Sequence, residues 1–238
     1  YLRGVAIMQV PTSLLAQVDS SIGGKTGIDL PFGKNLAGAF HQPRSVVIDP
    51  IALKTLPPER FAEGMAEVVK YGCISEEALF RDIDKHADSG FGDEALFDII
   101  SRCVAIKAGV VNRDELDTGE RMILNFGHTV GHAIEKVTGY GRISHGEAVA
   151  IGMVAAARLG ELVGKTPAGT SEHISALLAK LKLPVKTDLS VDDIFSSMMA
   201  DKKNFSGTIH FILLDRIGHA IREPFAPDRL RELLASCL

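Results

Sequence analysis

The residues best suited to chemistry are concentrated in one stretch, Asn125-Phe-Gly-His128-Thr-Val-Gly-His132-Ala-Ile-Glu135, followed closely by His145-Gly-Glu147. On a helix, His128 and His132 stand at i, i+4, so both imidazoles can face one point, as a transition-metal site requires. His145, at the start of the next predicted helix, offers a third nitrogen, and a carboxylate from elsewhere would complete the shell. From spacing alone the ligand set is His128, His132 and an acid. Histidines also cluster on surfaces and in cores without a metal, and H-x3-H by itself is common.

A second segment, Asp19-Ser-Ser-Ile-Gly-Gly-Lys25-Thr-Gly, ends like a phosphate-binding loop. Its first position is Asp19 where G-x-x-x-x-G-K-[ST] needs glycine, and a carboxylate there would repel a closely held phosphate. A nucleotide-triphosphatase reading is therefore excluded. Backbone N–H groups and Lys25 can still hold an anion, or the segment is a plain glycine-rich connector. Lys70 follows Glu67 by one helical turn, a spacing usually found in solvated surface pairs. Lys107, Arg121 and the doublet Lys202-Lys203 are cations whose joint meaning depends on whether they converge.

The elements that must position these groups divide near Pro57-Pro58. Before it, short apolar runs at Val5–Met8 and Ser45–Ile48 read as buried strands, with a glycine-rich loop over 22–38 between them. Pro57-Pro58-Glu59 reads as a helix start, with the helix running to about Tyr71. Further helices are predicted over 76–86, 94–112, 121–138, 145–164, 171–182, 190–200 and 227–236. A β-hairpin is predicted over 208–221. The expected architecture is an α/β N-terminal piece (1–56) joined to a mainly α-helical C-terminal domain (57–238).

Composition narrows the function classes. At 238 residues, with 46% hydrophobic and 24% charged, the chain can bury a sizeable core. The formal net charge of −4 gives no electrostatic case for nucleic acid or an anionic membrane. The longest apolar stretch, Ala148–Ala157, is too short to span a bilayer. No basic segment followed by an apolar one opens the chain, and Cys73, Cys103 and Cys237 are widely spaced, so reduced thiols in a cytoplasm are expected.

Five runs together carry a more specific resemblance: QVPTSLLAQVDSSIGGKTGID (9–29), GKNLAGAFHQP (33–43), LKTLPPERFAEGMAEVVKYG (53–72), LNFGHTVGHAIE (124–135) and HGEAVAIGM (145–153), with DKK at 201–203. In this order and over nearly the whole chain, the sequence resembles the 3-dehydroquinate synthases, within the sugar-phosphate cyclases. The resemblance implies conversion of 3-deoxy-D-arabino-heptulosonate 7-phosphate to 3-dehydroquinate in the shikimate pathway, with NAD⁺ and a divalent metal, Zn²⁺ or Co²⁺. The implied cycle is transient oxidation, phosphate elimination, return of the hydride, ring opening and aldol closure.

The resemblance also replaces the ligand set read from spacing. It implies Glu67, His128 and His145 as metal ligands, with His132 facing the substrate. Lys107, Arg121 and Asn125 match a carboxylate clamp, and Lys70 another substrate-facing lysine. Lys25, Asn35, Lys202 and Lys203 match phosphate-holding positions, and Arg3 an arginine that reaches the phosphate from the neighbouring subunit of a homodimer. Thr12, Ser13, Lys25, Lys34 and the stretch Ala52, Leu53, Lys54, Thr55 match the cofactor side, with Asp19 at the nicotinamide and ribose part.

One departure stands out: no G-x-G-x-x-G follows a strand, so the turn that would cradle the NAD pyrophosphate is expected upstream of Tyr1. The expectation is a truncated form, inactive alone. The alternatives are another cyclase, such as 2-deoxy-scyllo-inosose synthase, and a metal-dependent glycerol or alcohol dehydrogenase. A non-catalytic fragment is a third.

Overall fold

The structure is a computed structural model and describes residues 4–30, 33–139, 141–201 and 207–238. In the N-terminal part, β1 (Met8–Gln9) pairs in parallel with β4 (Ser45–Val46), Met8 opposite Ser45. Between them, a π-helical turn over Ala16–Ser20 leads into an antiparallel hairpin of β2 (Lys25–Leu30) and β3 (Gly33–Phe40). The predicted loop over 22–38 is therefore largely sheet. Its glycines misled: Gly38, opposite Gly27, has a β-carbon position only 2.0 Å from the Thr26 carbonyl oxygen, so glycine here permits close pairing.

A 3-10 helix over Pro50–Thr55, capped by Asp49 accepting from the Ile51 N–H at 2.9 Å, delivers the chain to the helices. The first, α1 (Pro58–Ser75), starts at the predicted proline pair and is buried continuously from Gly64 to Ile74, so it runs through the core. The chain continues through α2 (Glu77–Ser89) and α3 (Asp93–Arg113). The predicted helix over 121–138 is two elements: a 3-10 helix, Glu120–Asn125, and α4 (His128–Thr138). Gly127 breaks them with φ +79°, and a β-carbon there would lie 2.8 Å from the Val149 carbonyl oxygen.

Next, α5 (His145–Leu162) opens with a capping box, Ser144 and Glu147 each bonding the other's backbone N–H. It is followed by α6 (Thr170–Lys180), α7 (Val191–Asp201), the predicted hairpin as β5 (Ile209–Arg216) and β6 (His219–Phe225), and α8 (Pro227–Leu234). The apolar run Ala148–Ala157 is buried throughout. Val149, Ala150 and Met153 pack into a core with α1, α2 and α3, to which the N-terminal part adds Leu14, Val18 and Leu53. Ala148, Ile151, Ala155 and Leu159 pack into a second core with α4, α7, α8 and the β5–β6 hairpin. The helix α5 thus separates two cores, with α1 on one side and α4 on the other. No helix of the described residues is long and apolar enough to cross a membrane.

Candidate functional site

Where α1 and α4 meet the first turn of α5, Glu67, His128 and His145 converge. Glu67 Oε1 lies 3.3 Å from His128 Nε2 and 3.3 Å from His145 Nε2. Glycine makes the approach possible: a β-carbon on Gly146, next to His145, would fall 2.2 Å from the carbonyl oxygen of Glu63, one turn before Glu67. Gly131 likewise lets α4 lie close on Ala148. Glu67 is fully buried, and its Oε1 accepts no hydrogen bond of normal geometry. A carboxylate and two imidazoles facing one gap, none closing it with a regular hydrogen bond, are a donor set that fits a divalent cation. The set leaves coordination positions for a ligand, as catalytic sites do.

His132 is exposed on the same face of α4, its ring centroid 5.3 Å from that of His128 and 6.0 Å from that of His145. The spacing-based pair of His128 and His132 is therefore adjacent, but the acid meets His128 and His145. His132 belongs to a second possible grouping, with Glu135 and His145.

The Glu67–Lys70 pair is not a solvated surface pair. Lys70 is 1% exposed, its ammonium ion-paired with Glu67 Oε2 and 3.7 Å from Asp19 Oδ1. Asp19 in turn accepts from Tyr71 Oη at 2.5 Å and pairs with Lys107 Nζ at 3.0 Å, while Lys107 also donates to the Asp19 carbonyl at 2.6 Å. In this arrangement Asp19 bridges the two lysines and α1.

Lys107 and Arg121, both buried, line a cavity of about 660 Å³ with Asp19, Lys25, Gly23 and Phe40. Arg121 is held through its backbone N–H to Asp114 and through Nη1 to the Glu115 carbonyl at 2.8 Å. Lys25 is ion-paired with Asp117. Asn125 lines a separate crevice with Gly127, Thr129 and Phe211. On the N-terminal side, Thr12 is exposed, Ser13 Oγ accepts from the Ala16 N–H, Thr55 donates to the Ala52 carbonyl, and Lys54 pairs with Asp93; Leu53 is buried. Arg3, Lys202 and Lys203 lie outside the described residues, and of Lys34 and Asn35 only the backbone, in β3, is described. Tyr71, Asp117 and the role of Glu135 were not read from the sequence. Only Glu135 left a signal, one heptad after His128 on the same helix face.

The electrostatics follow from burial against partners. Burial pushes the Glu67 carboxyl upward, but Lys70 and His128 outweigh it and hold it well below the usual range. Asp19 is lowered in the same way, burial being overcome by Lys70 and Lys107. Burial depresses Lys107, with Lys70 adding to the effect. Burial would lower His145, yet Glu135 and Glu67 on its two sides raise it from 6.5 to about 10.

The His145 shift sets two opposite pH trends. Its contribution to the stability of the metal-free chain is complete below pH 6.5 and is lost as pH rises towards 10. A cation that takes Nε2 must displace the proton, so zinc affinity should rise by about tenfold per pH unit over the same window. Urea unfolding and zinc competition titrations between pH 6.5 and 10 check both; affinity flat with pH would show that His145 holds no extra proton in this window.

The family model described as 3-dehydroquinate synthase N-terminal matches residues 1–63, and that described as 3-dehydroquinate synthase C-terminal matches residues 64–204. The 3-dehydroquinate synthase of a Synechocystis species is 50% identical over 224 residues, covering 92% of this chain and 62% of that protein. That of Opitutus terrae is 48% identical and covers 100% of this chain and 66% of that protein. The chain thus spans a little under two thirds of the length of these relatives.

Among solved structures, the 2-epi-5-epi-valiolone synthase of Streptomyces hygroscopicus, with NAD⁺ and Zn²⁺ bound, aligns with a TM-score of 0.90 at 25% identity, covering 100% of this chain and 66% of that one. A 2-deoxy-scyllo-inosose synthase complexed with carbaglucose-6-phosphate, NAD⁺ and Co²⁺ aligns at 0.86 and 30% identity, covering 100% and 69%. An alcohol dehydrogenase from Ralstonia eutropha, at 0.54 and 16% identity with 98% and 68% covered, shares the fold alone. By both its family-model matches and its identity to these relatives, the chain belongs to the 3-dehydroquinate synthase family.

Proposed function

We propose that this chain carries the metal- and substrate-binding machinery of a 3-dehydroquinate synthase, acting on 3-deoxy-D-arabino-heptulosonate 7-phosphate with NAD⁺ and Zn²⁺ or Co²⁺. The observation that supports it most is the meeting of Glu67, His128 and His145, linked through Lys70 and Asp19 to a cavity lined by Lys107 and Arg121. The bound metal would polarise the substrate's hydroxyl and carbonyl oxygens.

The remaining work falls to the chain. Arg121 and Lys107 offer a planar fork and an ammonium to a carboxylate. Lys70 supplies a buried positive charge beside the metal ligands. Asp19, pinned by Lys107 and Tyr71, would serve the nicotinamide and ribose part of the cofactor, as the resemblance implies. His132 stands over the ligand cluster with an imidazole able to take or give a proton at a substrate oxygen. Thr12, Ser13 and Ala52–Thr55 form the cofactor side, Lys25 and Asn35 with Lys202 or Lys203 the phosphate side, and Arg3 reaches the phosphate of a partner subunit in a homodimer. The division into an N-terminal nucleotide-binding part (1–56) and a helical part (57–238), and a cytoplasmic setting, complete the reading.

A related cyclase taking a sugar phosphate without a carboxylate is the second reading, favoured by the fold alignments. The two cations lining one cavity, Lys107 and Arg121, suit a substrate that carries a carboxylate and weigh for the first. Phosphate release from the heptulosonate phosphate, against glucose 6-phosphate, by the protein extended to its relatives' full length decides between them. In that protein, His132→Ala should keep stoichiometric zinc and lose about 10²–10⁴-fold in kcat, the range for a positioned acid–base group. Loss of zinc in this variant would move His132 into the ligand set.

A further inference from the structure

Both imidazoles facing Glu67 are anchored through their far nitrogen. His128 Nδ1 lies 3.1 Å from the Phe126 carbonyl oxygen, and His145 Nδ1 lies 3.4 Å from Glu135 Oε2. A carbonyl oxygen can only accept, so His128 carries a proton on Nδ1 and leaves Nε2, the atom that faces Glu67, as the one a cation would take. A carboxylate at His145 likewise holds a proton on Nδ1, so that a cation would take Nε2. Glu135 is 5% exposed, so its carboxylate is shielded from water and aimed along α4 at the first residue of α5. His128 sits at the start of α4 and Glu135 two turns later, so one helix face supplies both a ligand-type imidazole and the anchor of the other.

From this geometry we infer that Glu135 is the positioning residue of the metal centre, fixing the tautomer and ring plane of His145 through Nδ1 without touching the cation. The inference rests on the metal reading above. A carboxylate behind a metal-bound imidazole raises its basicity as well as fixing its direction, and loss of such a partner typically costs 10–100-fold in metal affinity. The rival role for the same atoms is a second cation held by His132, Glu135 and His145.

The test uses zinc competition titration and the visible absorption of the Co²⁺-loaded chain. The parent, Glu67→Ala, Glu135→Ala and Glu135→Gln are compared, with metal-free thermal midpoints recorded for each. We expect one zinc per parent chain and none in Glu67→Ala. In Glu135→Ala zinc binding should weaken by about 10–100-fold with an altered cobalt spectrum. Glu135→Gln, whose amide oxygen still accepts from Nδ1, should recover most of the affinity and the parent spectrum.

If Glu135→Ala fails to fold, the Gln variant alone decides. The positioning role requires it to bind zinc within about tenfold of the parent, and a loss equal to that of Glu67→Ala refutes it. Parent-like affinity and spectrum in Glu135→Ala would overturn the positioning role while leaving the Glu67 centre intact. Two zinc ions per parent chain, one lost with Glu135, would replace it with the second-cation site. A parent that binds no zinc in a Glu67-dependent way overturns the metal reading and this inference with it.

Discussion

Glu67→Ala should abolish stoichiometric zinc binding and, in the metal-free chain, cost about 3–5 kcal/mol of stability. The first effect follows from geometry, because Glu67 Oε1 is the atom that both Nε2 groups face. The second is electrostatic. Lys70 is 1% exposed, and without Glu67 its nearest remaining anion is Asp19 at 3.7 Å, so a buried ammonium would be left half compensated. Glu67→Gln keeps the side-chain volume but not the charge, and should lose zinc equally while destabilising comparably. Calorimetric zinc titration and urea unfolding read the two effects separately. Retained one-to-one zinc binding in Glu67→Ala would return the ligand set to His128 and His132 with another acid. Unchanged stability would show that Lys70 is neutral or solvated in the native state.

The second large effect comes from packing rather than from charge. Gly146→Ala should cost at least about 1–3 kcal/mol, the range for forced overpacking, and weaken zinc by about 10–100-fold. An added methyl would sit 2.2 Å from the Glu63 carbonyl oxygen and 2.7 Å from Glu63 Cα, which are backbone atoms that no rotamer change can move. Relief requires α5 to back away from α1, and the residue carried with it is His145. Gly92→Ala is the control, since nothing lies within 4 Å of its β-carbon position and it is far along the chain from the site. It should leave zinc affinity unchanged and stability within about 1 kcal/mol. Parent-like zinc affinity in Gly146→Ala would mean that His145 does not need this helix contact to reach Glu67.

Much of the helical part was legible because its signals are local. The proline pair before α1 and the turn residues Asp215–Gly218 between two apolar runs each act within a few residues. The ligand set was not legible from local spacing. An i, i+4 pair of histidines advertises itself, whereas the acid on α1 and the imidazole on α5 meet only because glycines at 131 and 146 let helices approach. That pairing came from the resemblance. The β2–β3 hairpin and the break at Gly127 were misread for a related reason. Glycine signals a loop when it supplies turn freedom, but here Gly38 and Gly127 are needed because another backbone lies against them. The Glu67–Lys70 pair shows the same limit, since spacing alone could not tell a solvated pair from a buried one.

The charges gathered around the ligand cluster have a thermodynamic corollary. Three carboxylates, of Glu67, Asp19 and Glu135, face three cationic groups, those of Lys70, Lys107 and the protonated His145. Exchanging the His145 proton for a divalent ion leaves one surplus positive charge in this array, whose Lys107 and Asp19 also line the hollow together with Arg121. An anion drawn into the neighbouring hollow then meets a stronger field than it would in the unloaded protein. By reciprocity, the same anion must tighten the ion's hold by the same factor, whichever of the two arrives first.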